Sequence, residues 1–156
     1  MTMLAAIRDG SVNLPLFLHV LGAMTLMGAL AAVGFVTVAG LKAPERAAGL
    51  SRFGLKTLLI GVLPAWIVMR IAAQWTVSEE NLPDDFEPTW LGIGYVTAEL
   101  GGLLILISAI LAGVGLARSR ADSTRSVLFA RIVGVVCILL LAAYLVAMWA
   151  MSAKPD

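Results

Sequence analysis

Charge is what this chain has least of. Asp, Glu, Lys and Arg together make up 13% of its 156 residues, about half the roughly 25% of an ordinary soluble domain. A single cysteine, Cys137, excludes an internal disulfide and any cysteine-built zinc or iron–sulfur cage. Deep in an apolar stretch, Cys137 reads as a small packing residue. A single histidine, His19, excludes a histidine pair at helical spacing. There is no P-loop, no Gly-x-Ser-x-Gly, no His-Glu-x-x-His, no Cys-x-x-Cys-His and no Met-x-x-Met-x-x-Met run, and Thr97 and Ser108 stand alone. No complete catalytic site is legible, and neither a conventional hydrolase nor an NTPase is expected. With a net charge of +1, nothing points to nucleic acid as a partner.

What the chain does have is long apolar stretches. Hydrophobic residues account for 60% of it. They concentrate in four runs, roughly 14–41, 57–75, 90–116 and 127–151. A bilayer core about 30 Å thick needs about 20 apolar residues to span it, and helices apolar all round belong in a core or a membrane. The first run is longer than the 7–15 residues or so of a signal-peptide core and lacks a strong basic leader, so it reads as a retained helix. The expected fold is all-α, a single integral membrane domain over 1–156 with four transmembrane helices running up, down, up and down.

The connecting segments differ in charge. Segment 42–56 carries Lys42, Arg46, Arg52 and Lys56 against Glu45. Segment 117–126 and its flank carry Arg118, Arg120, Arg125 and Arg131 against Asp122. Segment 76–89 holds Glu79, Glu80, Asp84, Asp85 and Glu87 and no basic residue. Because Lys and Arg in short loops stay on the cytoplasmic side, the basic loops face inward, and the acidic loop and both termini face outward. Arg46, Arg52 and Lys56 around Leu50 and Phe53 suit either a short helix on the inner membrane surface or a solvated connector. Trp75 and Trp90 border the acidic loop, Trp149 lies near the outer end of the last helix and Trp66 about two turns inside the second. Interfacial anchoring accounts for most of them.

Small residues recur within the helices: Gly22, Gly28 and Gly34, Gly61 and Ala65, then Gly101, Gly102, Ala109 and Gly113. In lipid such positions let backbones approach closely. Pro64, lacking an N–H, should kink its helix or loosen a hydrogen bond near Ile60.

The ionisable residues inside the apolar runs are His19, Arg70 and Glu99. A charge at the bilayer centre costs at least about 2.5–3.5 kcal/mol on insertion scales, so such groups face the bundle, pair, or serve a function. At 1.5 Å per residue, His19 and Arg70 lie about 7–8 Å inside the outer ends of their helices and Glu99 about 13 Å. Tyr144, Met148 and Met151, spaced i, i+4, i+7, fall in the same layer. Arg70 aligns with Trp66 and Gln74, and Glu99 with Gly92, Tyr95 and Gly102. Faces of this make-up normally turn toward neighbouring helices. One reading is structural: Arg70 snorkels outward or pairs with Glu99, His19 bonds a neighbouring helix, and the methionines fill space. The other is ligation, with His19, Met148 and Met151 as donors to a haem iron or to copper.

The run Leu18-His19-Val20-Leu21-Gly22-Ala23 and the C-terminal run Tyr144-Leu145-Val146-Ala147-Met148-Trp149-Ala150-Met151-Ser152-Ala153-Lys154-Pro155 resemble bacterial four-helix integral membrane families of unknown function. These are distantly similar to the copper-resistance membrane protein D family. The resemblance implies an inner-membrane protein linked to metal or redox handling, with His19 at the matching histidine. Copper-resistance relatives are larger and richer in histidine. Three functions follow from the sequence. The first is a non-catalytic accessory or assembly subunit of a larger membrane complex, with another membrane protein or a second copy as partner in the lipid bilayer. The second is a haem- or copper-binding redox or metal-handling protein. The third is a small oligomeric transporter using Glu99 and Arg70.

Overall fold

The computed structural model describes residues 10–40, 46–80, 88–119 and 123–154. The expected positions Lys42, Glu45, Asp84, Asp85, Glu87, Arg120 and Asp122 lie outside them. The described chain forms α1 (Gly10–Gly40), α2 (Ala47–Thr57), a π turn (Leu58–Val62), α3 (Leu63–Glu79), α4 (Thr89–Arg118) and α5 (Ser123–Ala153). Helix α2, the π turn and α3 are continuous, so among the described residues four helices are long and apolar enough to cross a membrane. The fold is the expected all-α, four-helix, up-down-up-down bundle of an integral membrane protein.

The helices extend beyond the expected runs at most ends. The largest difference is in 42–56, expected as a loop. From Ala47 it is helical and leads straight into the second span. The short helix considered for its basic residues is there, but in place of lying on the membrane surface α2 packs on α1, α4 and α5 with Ser51 and Gly54 turned inward. Charged side chains at Arg52 and Lys56 do not stop a helix. They occupy its exposed face while the other face finds partners. At the opposite end, α3 runs on to Glu79, so the acidic connection begins later than 76.

Pro64 acts as expected on its local ladder. Its ring cannot donate and crowds the carbonyl four residues back. The backbone answers with the π turn just ahead of it, in which the Leu63 N–H reaches back to the Leu58 carbonyl, five residues away.

Going round the bundle, α1 lies between α3 and α5, and α5 between α1 and α4. The fourth side is closed unevenly. Helix α4 packs on the inner segment α2 but meets α3 much more sparsely, so the second and third spans diverge toward the outer end. Leu26, Leu30, Val33, Leu58, Val62, Ile105, Val133 and Cys137 form the sealed centre, each 2% exposed or less. Cys137 is thus a packing residue in the core.

Small residues set the closest crossings. A Cβ on Gly22 would stand 2.8 Å from the Met69 backbone nitrogen, so only glycine lets α1 approach α3 there. Gly34 and Gly134 do the same for α1 and α5 around Thr37 and Ile138. Gly28 and Gly113, expected among the packing positions, have nothing within 4 Å of where a Cβ would be, so no close helix crossing requires glycine there.

Candidate functional site

The divergence of α3 from α4 leaves a cavity of about 430 Å³ in the outer half of the bundle, between α1, α3, α4 and α5. Its wall is mostly apolar. Of the residues expected to share an outer layer, His19, Arg70, Tyr144, Met148 and Met151 all line it. Equal depth on alternating helices, combined with the i, i+4, i+7 spacing on α5, is what brings them together.

Glu99 does not line the cavity. Its side chain is 59% exposed, so the expectation that it turns toward a neighbouring helix is corrected. On α4, Ala98, Gly101 and Gly102 take the buried face. Glu99, one residue from Ala98, sits at the edge of that face and looks out of the bundle. It accepts a charge-assisted bond from Arg70 Nε at 2.7 Å, and Arg70 is 25% exposed. Arg70 also donates from an Nη to Gln74 Oε1 at 3.1 Å. The guanidinium lies 5.1 Å from the Tyr95 ring centroid, within cation–π range, and the Tyr95 hydroxyl donates to the same Gln74 oxygen at 3.3 Å. The four side chains form one strap across the open seam between α3 and α4.

Below the strap, Trp66 closes the seam. Its Nε1 donates to the Ala98 carbonyl at 2.9 Å, and its ring lies flush on Gly102. Trp66 is therefore a tie between helices. Trp75, 40% exposed and bonded to Glu79, Trp149, 63% exposed, and Trp90, whose ring carries the Lys154 ammonium at 5.2 Å, stand where interfacial tryptophans are expected.

His19 is held from α3: its Nδ1 is 3.1 Å from the Met69 carbonyl. A carbonyl only accepts, so Nδ1 carries the donated proton, and in the neutral imidazole this leaves Nε2 as the lone-pair nitrogen. Tyr144 is 6% exposed, and its hydroxyl, lodged against Gly101, has no hydrogen-bond partner. A buried polar group left without a well-formed bond costs about 1–3 kcal/mol; the nearest polar group to this hydroxyl is the Trp66 indole N–H, which is already given to the Ala98 carbonyl.

One feature of the wall was missed in the sequence. The chain has 7 methionines. The five that fall among the described residues, Met24, Met27, Met69, Met148 and Met151, all line this cavity. Met148 is 49% exposed, while the Met151 methyl packs onto Gly94. The i, i+3 step from Met24 to Met27 on α1 was the available signal, and it is indistinguishable from ordinary core filling. Among the described residues, no group of three or more His, Cys, Asp and Glu stands close enough together to hold a metal ion.

No family model, curated protein or solved structure matches this chain.

Proposed function

We infer that this small integral membrane protein is a non-catalytic subunit of a bacterial plasma-membrane complex, seated against a partner's transmembrane helix along the outer half of the α3–α4 seam. The exposed Arg70–Glu99 pair carries this reading. Helix α4 has 30 residues, or about 45 Å at 1.5 Å each, against a hydrocarbon layer of about 30 Å. Glu99 is ten residues past Thr89, about 15 Å down the helix, which puts it several ångströms below the hydrocarbon boundary if the helix is centred. A 59% exposed carboxylate at that depth is costly against lipid even when paired. A partner helix with a polar side chain would cover it. Val96 and Leu103, three residues before and four after Glu99, are 58% and 55% exposed and give the seam an apolar margin on the same face.

The alternatives draw less from the geometry. A transport pathway through Glu99 would want that carboxylate inside the bundle or a channel, and it stands on the outside. Haem or copper ligation by His19, Met148 and Met151 keeps the three donors on one cavity wall, but Met148 is half exposed and Met151 is committed to packing on Gly94.

Photo-crosslinking from the native membrane tests the reading. A crosslinker at Val96 or Leu103 is expected to give one discrete adduct, and one at Leu139, 63% exposed on α5, none. Equal, diffuse labelling from all three positions, with the protein recovered as a free monomer in gentle detergent, would refute a partner at this seam.

A further inference from the structure

We propose that the outer cavity is a binding site for a membrane-soluble amphiphile with a flat unsaturated ring bearing a hydroxyl group, held by the His19 imidazole. This goes beyond the subunit reading and does not depend on it. The cavity and the strap occupy the same half of the bundle, but a partner would sit on the outside of the seam and the ligand inside it.

Size is the first argument. A cavity of about 430 Å³ falls in the 300–1,000 Å³ range or so of small-molecule sites and has room for a ring and a short tail.

The wall chemistry narrows the ligand. All five described methionines border the cavity, with Met24 and Met148 at its exposed rim, 68% and 49% exposed. Thioethers are polarisable, adapt their rotamers, and make favourable contacts with aromatic rings. Trp90, Tyr95 and Tyr144 add aromatic surface to the same wall. Such a lining suits a flat, electron-rich ring better than a branched or saturated one.

Hydrogen bonding then selects the substituent. Small-molecule sites combine an apolar lining with a few placed polar groups. His19 is such a group, because the Met69 carbonyl takes Nδ1–H and fixes Nε2 as an acceptor. An acceptor calls for a donor on the ligand, which a ring hydroxyl supplies. The Tyr144 ring lines the same wall, while its hydroxyl is buried against Gly101 and leaves His19 as the polar group that a ligand meets.

Entry has a physical route. Above Trp66 the α3–α4 seam is spanned by side chains, the Arg70–Glu99–Gln74–Tyr95 strap, where other sides of the bundle are closed by helix packing. Side chains change rotamer on far shorter timescales than helices part. Where no partner covers the seam, as in the purified protein, a ligand dissolved in the outer leaflet can pass the strap without the bundle opening.

The test is fluorine NMR on the purified protein in nanodiscs of zwitterionic lipid. The probes are a ring-fluorinated para-heptylphenol and its hydroxyl-free counterpart. The expected result is a saturable bound signal for the phenol, with the hydroxyl-free ring binding about 2–10-fold more weakly, the span of one net hydrogen bond. His19→Ala should erase that difference and His19→Gln, which keeps an acceptor, should restore part of it. Ala147→Phe, or Ala73→Phe should the first fail to fold, fills the cavity and should remove the bound signal while the protein still unfolds cooperatively. Absence of a saturable signal in the wild-type protein overturns the proposal. So does equal affinity for the two probes, which would mean a groove that takes any apolar chain. A bound signal that survives in a folded, cavity-filled variant places the ligand elsewhere and overturns it too.

Discussion

Gly102→Ala is a one-methyl change that should cost this bundle far more than its size suggests. A Cβ at Gly102 would fall onto Trp66 Cζ2 and stand 2.7 Å from Cε2. The indole cannot slide freely, because its Nε1 is tied to the Ala98 carbonyl at 2.9 Å. Forcing a methyl into a packed site costs about 1–3 kcal/mol, and losing the indole hydrogen bond adds about 0.5–1.5 kcal/mol. Replacing glycine by alanine within a helix returns about 1 kcal/mol. The net is a destabilisation of about 0.5–3.5 kcal/mol, centred near 2 kcal/mol. At about 2–4 °C per kcal/mol for a chain of this length, the midpoint should fall by about 4–8 °C. Gly113→Ala is the matched control on the same helix. Nothing lies within 4 Å of its Cβ position, so only the propensity gain remains and the midpoint should hold or rise. Thermal unfolding of both variants in one detergent, with a Trp66→Leu/Gly102→Ala double variant to measure coupling, decides it. A Gly102→Ala protein as stable as Gly113→Ala would refute the packing of Trp66 on α4.

The Arg70–Glu99 pair should behave as a unit. Arg70→Leu and Glu99→Leu each leave one unpaired charge near lipid, so the double variant is expected to be more stable than the two losses summed predict, with a coupling of about 0.5–3 kcal/mol in a double-mutant cycle of denaturant unfolding. Cys137, with 0% exposure, should resist a maleimide in the folded protein and react once the bundle is unfolded in SDS. Labelling of the folded protein would mean that the core is looser than described.

Much of this was readable before any coordinates. Hydropathy gave the spans because a bilayer imposes one length on every helix. Counting residues from the helix ends put His19, Arg70 and Tyr144 in one layer because rise per residue is constant. Rotation about each helix axis was not readable. In membrane helices both faces are apolar, so periodicity no longer separates inside from outside. Glu99 shows the consequence: with Gly102 three residues on, its face looked inward, yet only Gly102 is buried and Glu99 stands at the rim. Helix α2 was legible as a short helix but not in its placement: Arg52 and Lys56 suggested a surface position, whereas its inward face, Ser51 and Gly54, carries too little hydrophobicity to announce packing inside the bundle. The methionine wall spans two neighbouring contacts, α1 with α3 and α1 with α5, and no spacing along one helix reveals it.

The π turn at Leu58–Val62 makes the second span a helix with two separately indexed halves. A π turn holds one residue more than the α-helical ladder allows for, so everything beyond it is rotated by about 100° relative to an unbroken α-helix. The inner half is phased to α4 and α5, and the outer half to α1. Deleting a single residue from 58–62 would restore a regular ladder and leave Met69 and Arg70 facing as they do, whereas forcing all five residues into a regular α-helix would turn both away from α1 and the seam together. In this chain the extra residue works as a phase setting: the cavity wall is aimed by a miscount in the helix beneath it.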